Sequence, residues 1–279
     1  VKLMAGAWKH SLPFNLTRRG LRMSQNITRY NNFGTQICDV SIGLQDFISI
    51  FGGEICENSG SGMPGQIDEV RGKRATFGMG CFWAGDSLFG ATPGVIRTCV
   101  GYAGGTKDKP VYRNLGDHTE VIDVEYDPEK ITYSQLLDLF WNNHEYGLTT
   151  LIKRQYMSLI LYHDEEQRIT AEKSRDRQQK EKNTKFTTEI SEFRKFYPAE
   201  DYHQKYRLQE HPWLVEAIGI KNSEQLQSSP VAAKLNGFLS GATSIAEFER
   251  EAPSLGLDDK ALAYTRKFVI ERQGHGLYC

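Results

Sequence analysis

No apolar run in the chain approaches the ~20 residues that a membrane-spanning helix needs. Net charge is nearly absent as well. The 34 Lys and Arg against 35 Asp and Glu leave −1, which gives no electrostatic case for binding nucleic acid or an anionic membrane. Cysteine is scarce and scattered: Cys38, Cys56, Cys81, Cys99 and Cys279 form no CxxC pair. The seven histidines form no HxxxH. A bound zinc is therefore not expected, nor is a small secreted domain held by disulfides. A reducing compartment fits better, where a reactive cysteine is present for chemistry.

The 279 residues are enough for a sizeable core in one or two domains. Residues 1–38 carry Lys2, Lys9, Arg18, Arg19, Arg22 and Arg29 with no Asp or Glu, a bias like that of a mitochondrial transit peptide. Residues 1–68 are read as a targeting-like or disordered leader with a linker at 57–65. A cytoplasmic location is expected, with mitochondrial targeting as the leader's alternative. From residue 69 strands and helices alternate. Strands are predicted at 75–79, 95–102, 119–126, 156–162 and 187–193, and helices at 82–90, 133–144, 164–183 and 201–209. Thr132 with Gln135 fits a capping box. Beyond Pro212 short helices are predicted at 230–240, 244–251 and 258–273. The fold class is α+β, a two-layer sandwich over 69–212 with a helical extension over 213–279. That extension ends in the glycine-containing tail Gly274-His275-Gly276-Leu277-Tyr278-Cys279.

Cys81 stands where a strand runs into a helix. The unpaired N–H groups and dipole of the first helical turn favour a thiolate there. Phe82 and Trp83 can wall the sulfur with apolar surface. Alternation in 118–126 sets His118, Glu120, Ile122, Val124 and Tyr126 on one strand face, with Asp123 and Glu125 looking to solvent. A carboxyl heading an apolar face holds its proton, and a protonated carboxyl near a thiolate is a general acid. The alternative is a Glu120 at an exposed strand end with no role. Tyr112 in a turn and Tyr156 at a strand start are phenols that can donate to a substrate oxygen or simply pack. His144 reads as a satisfied core histidine and Cys99 as a small buried hydrophobe. Cys279, on a tail with two glycines, is a candidate resolving cysteine or an idle exposed thiol.

Gly80-Cys81-Phe82-Trp83, Gly101-Tyr102-Ala103-Gly104-Gly105, His118-Thr119-Glu120-Val121, Gln155-Tyr156-Met157-Ser158 and the run from Tyr197 to Tyr206 come in series. The series resembles the peptide methionine sulfoxide reductases of the A type over about residues 74–210. The resemblance implies a ferredoxin-like core and reduction of methionine S-sulfoxide, free or in oxidised proteins. It implies that Cys81 attacks the sulfur, Glu120 protonates the oxygen, and Tyr112 and Tyr156 hydrogen-bond it. Phe82 and Trp83 would hold the methyl group, and Cys279 would resolve the sulfenic acid. Thioredoxin, or a dithiol such as DTT, would be the reductant of a monomer with no bound cofactor. Two features depart from the family pattern. Loop 145–155 has no aspartate and carries Lys153 and Arg154, and residues 210–278 intervene before Cys279. A thiol peroxidase or cysteine redox sensor is the competing class. A Cys–His hydrolase using His118 is a weaker one.

Overall fold

A computed structural model describes residues 72–144 and 153–273. Residues 1–71, 145–152 and 274–279, with Cys38, Cys56 and Cys279, lie outside the described residues.

Alternation builds the sheet. In β1 (Lys73–Met79) Ala75, Phe77 and Met79 face one side. Val100 and Tyr102 of β2 (Val95–Ala103), and Ile122, Val124 and Tyr126 of β3 (Thr119–Tyr126), join them. With β4 (Ser158–Tyr162), β5 (Glu189–Glu192) and β6 (Tyr197–Pro198) they form a six-stranded sheet ordered β5-β4-β1-β3-β2-β6. The pairs are antiparallel except β4 with β5. Three helices share the core on that face: α1 (Phe82–Ala91), α2 (Tyr133–Asn142) and α3 (Glu165–Lys182). Phe77 is the hub, fully buried, with its ring 5.3 Å from Phe89 and 5.4 Å from Phe140. Burying such a ring contributes about 1.5–3 kcal/mol. The opposite face is smaller. There Ala103, Val121, Leu159 and Leu161 lie under Phe193 and Phe196.

The local signals hold for the helices. Thr132 and Gln135 form the reciprocal capping box of α2. Asp164 caps α3, and Asn183 ends it in the left-handed region at φ 47°. The charged α3 is anchored by a narrow face of Gln167, Ala171, Ser174 and Gln178, where Trp141 Nε1 donates to Ser174 Oγ at 2.8 Å.

Several sequence expectations change. The fourth strand starts at Ser158, and Tyr156 sits instead in a 3-10 turn, Arg154–Tyr156. The helix expected at 201–209 is broken by Lys205 at φ 49°. A 3-10 turn, Asp201–His203, precedes the break, and α4 (Tyr206–Gln209) follows it. Asp123 and Glu125 are half-buried rather than solvent-facing, bonded to Arg74 and Arg97. Two helices unforeseen in sequence, α5 (Pro212–Ala217) and α6 (Ser223–Ser228), open the extension.

The extension continues as α7 (Pro230–Ser240), α8 (Ile245–Glu251) and α9 (Asp259–Arg272) around Leu208, Leu214, Leu235, Phe238, Phe248 and Val269. Small residues let α7 lie directly on α1. A Cβ on Gly90 would come 2.3 Å from Ala233 O, and one on Gly237 2.5 Å from Ser87 O. No helix among the described residues is long and apolar enough to cross a membrane.

Candidate active site

Cys81 is the N-cap of α1, partly exposed, at the positive end of the helix dipole with no acidic residue in the first turn. The next residue fixes the acid beside it. Phe82 N donates to Glu120 Oε2 at 3.1 Å, and Gln155 Nε2 donates to Glu120 Oε1 at 2.7 Å. Glu120 is 1% exposed, so it lies inside the site and not at a free strand end. Burial raises its pKa, and the Gln155 and Phe82 hydrogen bonds pull part of that back.

Two phenols complete the polar half. Tyr156 is hydrogen-bonded to Tyr112 and feels the charges of Glu120 and Cys81. Its pKa is raised, first by burial and then by the Tyr112 bond and those charges, so it remains a proton donor. Glu200 positions Tyr112 by accepting its backbone N–H at 2.9 Å, while Tyr102 OH donates to the other carboxylate oxygen at 2.7 Å. Burial works to raise the Glu200 pKa, but these donors hold it low, so it stays an acceptor.

The apolar wall is thicker than Phe82 and Trp83 alone. Lys205 folds back under the site, and its ammonium, fully buried, meets Asp86 Oδ1 at 3.2 Å and Thr98 O at 2.8 Å. Thr98 Oγ1, Lys205 N and Asn236 Nδ2 also donate to the Asp86 carboxylate. This knot ties α1 to the segment 200–206 and to α7. The segment then lays Tyr206 on Trp83, ring centroids 3.9 Å apart, and His203 against Phe82 and Tyr112 at 5.1 and 4.7 Å. Trp83 Nε1 and both His203 ring nitrogens are buried with no hydrogen-bond partner among the described residues.

The structure therefore brings together Cys81, Phe82, Trp83, Tyr112, Glu120 and Tyr156. Cys279 lies outside the described residues. Sequence reasoning gave no role to Gln155, Glu200, His203, Lys205 or Tyr206. Their signal was membership of the Gln155-Tyr156 step and the Tyr197–Tyr206 run. His144 is a satisfied core histidine: Nδ1–H donates to Phe140 O at 2.6 Å, and Nε2 faces Ser158 Oγ at 2.7 Å. Burial lowers its pKa to about 4. His118 has both nitrogens committed to backbone, to Gly105 N and Lys107 O, which removes the imidazole a Cys–His hydrolase needs. Cys99 is half-buried in β2, opposite Asp123, with its thiol toward Gln204 and Gln227 and its pKa pushed up by burial to about 11. That environment keeps it in the thiol form at neutral pH. No group of three or more metal-ligating side chains occurs among the described residues.

The arrangement places a thiol at a helix N-terminus, a buried carboxyl and two phenols at one edge of an aromatic wall. It can attack an electrophilic centre whose oxygen needs a proton.

Comparison with known proteins identifies one family. Residues 73–234 match the family described as peptide methionine sulfoxide reductase. Residues 219–271 match one described as the helical domain of selenoprotein methionine sulfoxide reductase A. A peptide methionine sulfoxide reductase of Drosophila melanogaster is 55% identical over 206 residues, covering 74% of this chain and 83% of that protein. Peptide methionine sulfoxide reductase A5 of Arabidopsis thaliana is 44% identical over 171 residues, covering 60% and 67%. Among solved structures, reduced Mxr1 from Saccharomyces cerevisiae aligns with a TM-score of 0.48 and 28% identity, over 53% of this chain and 90% of that one.

Proposed function

The chain belongs to the peptide methionine sulfoxide reductase family of oxidoreductases, and from that premise we propose that it reduces the S epimer of methionine sulfoxide through Cys81. The carrying observation is the shared carboxyl. Glu120 accepts from the N–H of the residue next to Cys81 while Gln155 closes its other oxygen.

Sulfoxide sulfur is attacked readily only when its oxygen is being neutralised. The Cys81 thiolate adds to sulfur as Glu120 gives its proton to the oxygen, with Tyr112 and Tyr156 hydrogen-bonding that oxygen. The S–O bond then breaks with transfer of OH to the Cys81 sulfur. Methionine leaves, Cys81 is a sulfenic acid and Glu120 is a carboxylate that takes its proton back from water. Phe82 and Trp83, backed by His203 and Tyr206, form the apolar side against which the S-methyl group packs. Cys279 then condenses with the sulfenic acid to a disulfide, releasing water. A dithiol reductant, thioredoxin in the cell or DTT in the assay, restores both thiols. Free and protein-bound sulfoxide are both substrates, and the enzyme acts as a monomer.

The β1-α1-β2-β3-α2-β4 order, with strands arranged β4-β1-β3-β2, supports reading the core as ferredoxin-like. In this reading residues 69–212 form the catalytic domain, 213–279 a helical extension with the recycling tail, and 1–68 a leader. Cys81→Ser tests the nucleophile: methionine formation from the S-sulfoxide is expected to vanish. Activity above a trace would remove Cys81 from the reaction.

A further inference from the structure

The 3-10 turn Arg154–Tyr156 supplies two of the site's polar groups yet contains no buried residue. With no residue fully buried, the turn leans on polar ties, and four of these come from one side chain. Arg154 Nε donates to Asp117 O at 3.0 Å and Nη2 to Gly104 O at 2.8 Å. Its Nη1 reaches Glu189 Oε2 at 2.5 Å and Met157 Sδ at 3.4 Å. The carbonyl of Arg154 accepts from the buried Thr119 Oγ1 at 2.8 Å. Gly104 stands two residues past Tyr102 and Asp117 three before Glu120, so one guanidinium spans both strand ends that build the site. Gly104 adopts φ 77°, and a Cβ there would lie 3.4 Å from Nη2 and 2.9 Å from Leu159 Cδ2. The backbone can approach the fork closely because that position is glycine.

We propose that Arg154 is the positioning residue of the oxygen-binding half of the site, holding Gln155 against Glu120 and Tyr156 against Tyr112. The proposal rests on the reductase reading. It also gives the oxygen-binding side a polar support made from Arg154, where the family pattern led one to look for an aspartate. The Glu189 pair is about one-third exposed on both sides, so by itself it adds little. Alignment comes from the two carbonyl bonds, which need a planar fork. A lysine keeps the charge and the reach to Glu189 but cannot span Gly104 and Asp117 together.

The test compares full-length wild type, Arg154→Lys, Gln155→Leu and the double variant. The Glu120 carboxyl is titrated by 13C NMR, and single-turnover reduction of a blocked methionine S-sulfoxide is timed from pH 6 to 9. Losing the Gln155 donor removes a bond that holds the Glu120 pKa down. Arg154→Lys is therefore expected to raise the Glu120 midpoint and carry the alkaline limb of the rate upward with it. The saturated rate should fall about 10- to 100-fold, and less on the Gln155→Leu background, where only the Tyr156 part of the effect remains. A Glu120 midpoint unchanged in Arg154→Lys overturns the proposal. So does a rate loss as large in the Gln155→Leu background as in the wild type. Wild type without reductase activity would fell the reductase reading separately, while the Glu120 titration still decides whether Arg154 positions the turn.

Discussion

Exchanging Glu120 for glutamine removes the transferable proton and replaces one of its two acceptor oxygens with an NH2 group. The side chain is 1% exposed, and its two partners among the described residues, Phe82 N at 3.1 Å and Gln155 Nε2 at 2.7 Å, both donate to it. An amide of the same shape fills the space but offers the sulfoxide oxygen no acid. Loss of a positioned general acid costs on the order of 10²-fold, about 2.7 kcal/mol of barrier. The same change should act on stability with the opposite sign. Burial keeps Glu120 protonated to higher pH in the fold than in the unfolded chain. Between those two pKa values the native state binds more protons, so its stability falls as pH rises. Glu120→Gln is thus expected to gain stability relative to wild type between about pH 4, where the native and unfolded wild-type states both carry the proton, and pH 8. Single-turnover rates from pH 6 to 9 and urea melts at pH 8 and 4 read both effects. The wild-type rate should decline on the alkaline side while the variant's slow rate shows no such limb. An unchanged rate, or a variant less stable at pH 8 and equal at pH 4, would refute the buried-acid argument.

The buried knot is a second target: Asp86→Leu leaves the Lys205 ammonium, fully buried, with only Thr98 O as a partner among the described residues. A loss of about 3–5 kcal/mol is expected, read by urea melts, and a loss below 1 kcal/mol would contradict the assignment. Gly90→Ala gains helix propensity but drives a Cβ to 2.3 Å from Ala233 O. The clash should win, with about 1–3 kcal/mol lost, and a stabilised variant would show that α7 does not press on α1 as described. His144 is held neutral, its pKa lowered by burial to about 4. The unfolded chain takes up that proton first, so stability should fall as pH drops below about 6.5, by about 2 kcal/mol at pH 5. Urea melts of wild type and His144→Gln at pH 7.5 and 5 measure this. An equal acid loss in both would remove His144 as its source.

What was legible in the sequence is what is local. Cys81 before an apolar-lined helix, the alternation from His118 to Tyr126 and the Thr132–Gln135 box each rest on contacts within a few residues. The matching elements stand where they were read. Glu120 was legible because a period of two assigns it a face. Tyr156 was misplaced by two residues because its turn is shaped by Arg154 reaching Gly104 and Asp117, more than 35 positions away. Lys205 breaks its helix for a similar reason. A backbone at φ 49° costs energy for a non-glycine residue, and the Asp86 carboxylate that compensates lies 119 residues earlier. Glu200, His203 and Tyr206 join the site through contacts with Tyr102, Tyr112, Phe82 and Trp83 far earlier in the chain, so no periodicity announces them and the Tyr197–Tyr206 run was their one signal. The close seat of α7 on α1 depends on Gly90 and Gly237 meeting in space, a pairing no periodicity reveals.

The central claim is that Cys81 and Glu120 together reduce one epimer of methionine sulfoxide. Its most direct test mixes full-length enzyme, without reductant, with the separate S and R sulfoxides of a blocked methionine, counting methionine formed and thiols lost. About one methionine per enzyme from the S epimer and none from R is predicted, with two thiols lost in wild type and one in Cys279→Ser. No methionine from either epimer, with Cys81 still oxidised by peroxide, would contradict the account and place the chain among thiol peroxidases or redox sensors.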